Sequence, residues 1–427
     1  MSMQGPPERG GATQEQALAT VDGRISGRCL VACLAAIAVG AAGFVMTSGP
    51  DPQRAWMSVW SNFLFWTGLS MGGVIFGAVL QVAKGHWGKG LRRLAEASAA
   101  FLPMSFLLFC ALWFGAEHIL PWLGPVETEH LNRDWLTLDG VFLRNGILLI
   151  VLYKFAFAWM YYSIRADAPL VAGANRGWRR SIISMFGRKW RGDDEETVRC
   201  RHLIARMSPP LILAWAVVFA LVSFDLGMSL TPGFVSMIWG PYYFIGGWLC
   251  LLATVAIAAH YYRDRYGVTL WGSADFHDLG KLTFAFVVFW TYLWFAQFLV
   301  IWYGNIPRET NFFEPRLSGS YSTMFWLQMV LIFVLPFAFL LGRSPKMNSR
   351  WLAMVGCIIL IGFWVERWNM VVPSIRHGDS LPLGLPELAI TSGFAGLFSL
   401  AWMAYSSTFP KVPIRETIAV GSPGRGP

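Results

Sequence analysis

Ten apolar runs, each of about 18 residues or more, leave this chain few ways to fold. They cover residues 29–46, 58–83, 95–120, 141–162, 208–230, 234–262, 282–304, 322–342, 351–370 and 387–408. A helix rises ~1.5 Å per residue, so runs of this length cross the ~30 Å hydrocarbon layer of a bilayer. Peptide groups in that layer find no water, and a helix satisfies them within the run itself. Only 14% of the residues are charged, against about a quarter in a soluble domain, and 55% are hydrophobic. The sequence therefore predicts an all-α polytopic membrane protein with ten transmembrane helices, named spans 1 to 10. Runs beyond about 20 residues are expected to tilt or to extend past the bilayer.

The formal net charge of +9 raises the question of nucleic-acid binding. Its distribution excludes that reading, because the positive charge lies in loops between apolar runs. The two tails and the loops after spans 2, 4, 6 and 8 hold 26 Lys and Arg, whereas the loops on the other side hold 5. Basic residues concentrate on the cytoplasmic side of a membrane, so both termini are expected there. Residues 1–27 are polar and read as a disordered cytoplasmic tail, and 409–427 as a flexible one. The basic stretch 165–206 divides spans 1–4 from the rest. The expected units are 28–230, holding spans 1–5, and 231–408, holding spans 6–10.

Redox centres find little support. Six cysteines, at 29, 33, 110, 200, 250 and 357, form no zinc-type or haem-attachment pair. A membrane b haem needs two facing axial ligands at matched depth. His118 and His260 fall near opposite ends of their spans, and His86, His130, His202, His277 and His377 lie in loops or at edges. The chain is expected to bind no haem, metal or iron–sulfur cluster of its own.

Ionisable residues inside spans are costly and mark candidate sites. Lys154 lies near the middle of span 4. Glu117, Asp225, Glu366 and Arg367 lie toward the non-cytoplasmic ends of spans 3, 5 and 9. They fit a polar cavity for a quinone headgroup or a proton path, or internal ion pairs that fix the helices. In span 7, Trp290, Trp294 and Gln297 recur at i, i+4 and i+7 and share one face. An amide between two indoles is costly against lipid, so that face is expected to meet protein, water or a ligand. Asn305 and Glu309 follow the run. His277, Asp278 and Lys281 precede it, where Asp278 suits a helix N-terminus and His277 a proton relay.

These residues carry a resemblance. The stretch from His277 to Lys281 (HDLGK), then FWTYLWFAQF at 289–298 and IWYGNIP at 301–307, is similar to the signature of the NrfD-like membrane family. That family includes the polysulfide-reductase membrane subunit. Within it the sequence resembles the F-type subunit of alternative complex III, a quinol:cytochrome c oxidoreductase. HWGKGLRRLAEA at 86–97, Asp225 with Met228-Ser229-Leu230, and the run 336–373 agree. Arg308-Glu309 departs from the two acids expected after Ile-Pro. The resemblance implies two four-helix bundles, spans 2–5 and 6–9, flanked by spans 1 and 10. It also implies a bacterial inner membrane, a paralogous membrane subunit, an iron–sulfur subunit and a multihaem cytochrome c subunit. Haem c and iron–sulfur clusters would then sit in those partners, with quinol bound by this chain or by its paralogue.

The resulting expectation is a non-catalytic or quinol-interacting subunit of a respiratory oxidoreductase that contributes to a quinol site, to proton translocation, or to both. Two other readings compete with it. One is a secondary transporter using Lys154 and the outer acids, with Pro103, Pro241 and Pro336 marking broken helices. The other is a purely structural scaffold.

Overall fold

The computed structural model describes residues 9, 13–21, 25–124, 134–175, 177–187, 190–266, 270–376 and 381–415. His130, His377 and the basic residues 24, 133, 176, 188, 189 and 425 therefore lie outside the described residues. Among the described residues ten helices are long and apolar enough to cross a membrane. They are Gly27–Ser48, Pro52–Val82, His86–Ile119, Leu138–Arg165, Asp193–Leu230, Trp239–Tyr266, Ser273–Gly304, Ser322–Leu340, Ser349–Ile375 and Leu385–Thr408. No strand occurs among the described residues. The chain is an all-α, multi-pass membrane protein.

Span 5 begins well before its apolar run, at Asp193-Asp194-Glu195-Glu196. Four acids in the first turn complement the positive end of the helix dipole, so the polar segment continues the helix. Span 7 likewise starts at Ser273, where the Asp275 carboxylate accepts the Gly272 N–H at 2.9 Å. Asp275, not Asp278, is therefore the residue that closes this helix start. Asp278 sits a turn later, paired with Lys281 at 2.7 Å and Arg9 at 3.1 Å.

Two of the three prolines coincide with irregular helix. Pro103 follows a 3₁₀ turn at Ala99–Phe101 that interrupts span 3. A π-helical turn, Val330–Val334, precedes Pro336 in span 8. Each proline removes an N–H from the ladder, and a tightened or widened turn absorbs the loss. Pro241 sits in the first turn of span 6, where the N–H has no intrahelical partner anyway, so it breaks nothing.

Spans 2–5 pack as one four-helix group and spans 6–9 as a second. The groups meet where spans 2 and 5 pack on span 6, and span 2 on span 9. Spans 1 and 10 pair with each other and lie against spans 2 and 3. Packing without a hydrophobic driving force depends on close backbone approach. At the span 2–span 6 crossing, a Cβ on Gly247 would stand 2.8 Å from the Gly68 backbone. Span 1 meets span 10 the same way, a Cβ on Gly40 reaching 2.5 Å from the Gly393 Cα. Gly247→Ala is accordingly expected to cost about 1–3 kcal/mol by overpacking, read as an earlier thermal unfolding transition in detergent. Gly173→Ala, where the added methyl meets nothing within 4 Å, is the control.

Both tails are more ordered than their composition suggests. Gln14–Ala19 is a helix whose Thr13 and Gln16 form a reciprocal capping box. Ala17 and Thr20 are buried. Lys411 donates from its backbone to Thr20 Oγ1 at 3.0 Å and from its ammonium to the Thr20 carbonyl at 2.9 Å. Phe409, Val412 and Ile414 are buried as well. The expectation of loose tails is thus corrected for 13–20 and 409–415, which pack against each other on the face that carries the basic loops. On the opposite face, Arg54 bonds Glu387 at 2.6 Å and Arg376 bonds Asp51 at 2.7 Å.

Candidate functional site

The span 7 face turns inward: Trp290 and Gln297 are buried and Trp294 is partly so. Trp290 stacks on Tyr242 of span 6 and meets Phe363 of span 9 edge-on. Gln297 and Trp294 line a small cavity with Tyr242, Glu366, Asn369, Gln328 and Arg316. Polar side chains from four helices therefore converge in the half of the second bundle away from the termini. Ser236 donates to Gln297 Oε1 at 3.0 Å, and Asn369 donates to Gln328 Oε1 at 2.9 Å.

Glu366 is the acidic centre of this cavity. It is 2% exposed, like its neighbour Arg367. Arg367 Nη1 donates to Glu366 Oε1 at 3.1 Å, and Nη2 donates to the Tyr243 carbonyl at 3.0 Å. Glu366 Oε2 lies 2.8 Å from Nη1 but makes no aligned hydrogen bond. Asn369 Oδ1 is also buried without a donor. The cavity volume is about 20 Å³, enough for one water molecule and far too small for a quinone ring.

Arg316 closes the cavity from the connection between spans 7 and 8, and its place follows from a proline. Pro373 lies inside span 9 and has no N–H for the Asn369 carbonyl. Arg316 Nε supplies that donor at 2.9 Å, and Nη2 reaches the Met370 carbonyl at 3.1 Å and Ser374 Oγ at 2.7 Å. Its guanidinium also covers the Phe312 ring at 3.7 Å. Burial pushes the Arg316 pKa down to about 9, so it remains a cation at neutral pH.

The other predicted residues lie elsewhere. Asp225 does not join Glu366. Its carboxylate accepts Arg144 Nη2 at 2.7 Å, Asn145 Nδ2 at 2.7 Å and Trp135 Nε1 at 3.0 Å, an ion pair that locks span 4 to span 5. Asn305 is the left-handed C-cap of span 7 (φ 45°), and it is exposed. Glu117 is exposed and Glu309 half-buried, and neither lines the cavity. Lys154 faces outward from span 4 rather than into a cavity. His277 is half-buried on the opposite face of the membrane from the cavity, with Asp278 and Lys281 beside it.

No family model matches the chain. It is 25% identical over 177 residues to a selenate reductase component from Mesobacillus selenatarsenatis, an alignment covering 38% of this chain and 41% of that protein. The chain thus spans about two-fifths of that relative's length. The likeness is distant.

A second buried polar cluster, in the first bundle, escaped the sequence reading. Arg93 bonds Glu96 and Asp167, each at 2.6 Å, and donates to the Ser163 carbonyl at 2.8 Å. Glu96 also accepts from Tyr405 at 2.9 Å, and Arg92 stands 3.3 Å away. Arg165 pairs with buried Glu196 at 2.6 Å. Arg92, Arg93 and Arg165 are therefore internal ion-pair partners, not loop charges. The available signal was the Arg92-Arg93-x-x-Glu96 spacing, which places i, i+3 and i+4 partners on one helix face.

Proposed function

We propose that this chain is the integral membrane subunit of a bacterial respiratory oxidoreductase of the alternative complex III type, and that its second bundle handles protons. The observation that carries the proposal is Glu366, a buried carboxylate that lines a cavity sized for a single water, beside the Tyr242 hydroxyl and Arg367. Such a group can take a proton from water and return it, while Arg367 and Arg316 hold it in place electrostatically. A quinol headgroup does not fit the cavity without moving Trp294 or Phe312. Quinol oxidation is therefore assigned to the paralogous membrane subunit, and haem c and iron–sulfur clusters to the soluble partners. With the basic face in the cytoplasm, the Glu366 cavity belongs to the outer half of the membrane, where released protons leave.

The transporter reading is weaker, because Lys154 does not converge with the acids it would need. The scaffold reading differs from the proposal in one measurable respect. The test uses the intact complex in proteoliposomes, with proton release and quinol:acceptor turnover followed together. Glu366→Gln keeps the shape and removes the proton. Asp225→Asn serves as the structural comparison. It should weaken the span 4–span 5 contact by about 1.5–3 kcal/mol, the range for hydrogen bonds to charged groups, and leave proton release per turnover unchanged. Normal proton release in assembled Glu366→Gln would reduce this bundle to a scaffold.

A further inference from the structure

Lys154 sits where an isolated chain has no good place for it. It lies 16 residues from the start and 11 from the end of the span 4 helix, Leu138–Arg165. With the hydrocarbon layer centred on that helix, the lysine Cα is about 4 Å from the midplane and about 11 Å from the nearer edge. A lysine stem does not span that distance, so the ammonium cannot reach water by snorkelling alone. The side chain is exposed, and it has no hydrogen-bond or ion-pair partner among the described residues. Leu143, Ile147, Ile150 and Phe157 are exposed on the same stripe. With Lys154 they follow a 4-3-4-3 spacing, the pattern of a helix seam that takes a second helix along its length.

The geometry points to a docking face on span 4 for a transmembrane helix of a different membrane protein, which presents an Asp or Glu to Lys154 at mid-depth. Charge complementarity selects the occupant. A lipid tail offers nothing to an ammonium at this depth. A second copy of this chain is a poor fit, because Glu96, Asp225 and Glu366, the span carboxylates nearest that depth among the described residues, are all buried. A single polar residue in an apolar seam also fixes register and partner choice. The inference needs only the membrane location of span 4, and it stands whether or not the partner takes part in respiration.

A photoreactive benzoylphenylalanine at Val151, one turn from Lys154, tests the face in native membranes. The expected adduct falls on one transmembrane segment of another chain, within a helical turn of an Asp or Glu. Lys154→Glu is expected to lower recovery of that partner about tenfold through like-charge repulsion, and Lys at the partner's acid to restore it. Adducts confined to lipid or to a second copy of this chain would overturn the proposal. So would undiminished partner recovery with Lys154→Glu. Should Lys154→Glu fail to accumulate, the Val151 adduct decides alone.

Discussion

Arg93→Leu is expected to destabilise the folded chain by about 3–5 kcal/mol, the range for removing one partner of a buried ion pair. The reason lies in what would remain. Glu96 and Asp167 are 0% and 3% exposed, and Arg93 is the residue that bonds both. Without it, Asp167 keeps only backbone N–H donors from Ile414 and Arg415, at 3.3 and 3.1 Å. Arg93→Lys is expected to recover part of the loss, since a single ammonium replaces the charge but not the forked geometry. Thermal unfolding of the purified protein in detergent is the measurement. A loss below about 1 kcal/mol, typical of a surface pair, would show that the cluster is solvated.

Glu366→Gln is the second large effect, on function instead of stability. Glutamine fills the same volume and still accepts the Arg367 N–H, so the complex should assemble. It cannot exchange a proton near neutral pH. Positioned acid–base groups contribute about 10²–10⁴-fold, so the rate of proton transfer through this cavity should fall by about 100-fold or more. The two protons of each quinol are still released with turnover. The outward release beyond them is what should be lost, with electron transfer to the acceptor largely kept. A combined loss of turnover and assembly would instead place Glu366 in the helix packing. Glu366→Asp, which shortens the side chain but keeps the proton, is expected to restore part of the release.

Hydropathy made the spans legible because hydrocarbon demands long apolar runs, and each of the ten runs lies largely within a span. It could not show the polar start of the span 5 helix, since a polar helix outside the lipid carries no hydropathy signal. The site was legible in part. The Trp290–Trp294–Gln297 periodicity located an inward face, and Glu366–Arg367 announced themselves as charges in a span. Depth alone then misled, because Asp225 lies near the same membrane face as Glu366 and yet faces the first bundle. Lateral position around a bundle depends on which helices pair, and a single sequence does not contain that. Arg316 was hidden for a related reason. It reads as a loop residue, and only the carbonyl freed by Pro373 draws it into the protein.

The stitching of residues 405–415 onto the first bundle sets an order of assembly during synthesis. Chains emerge N-terminus first, so Arg93, Glu96 and Asp167 are made long before Tyr405, Ile414 and Arg415 exist. Until then the Glu96 and Asp167 carboxylates lack donors that the finished protein supplies. The first four-helix group is thus left electrostatically incomplete while the later helices insert, and it locks only when the tenth has crossed. A ribosome stalled before residue 405 should hold spans 2–5 inserted but protease-sensitive, and release past residue 415 should convert them to the resistant form.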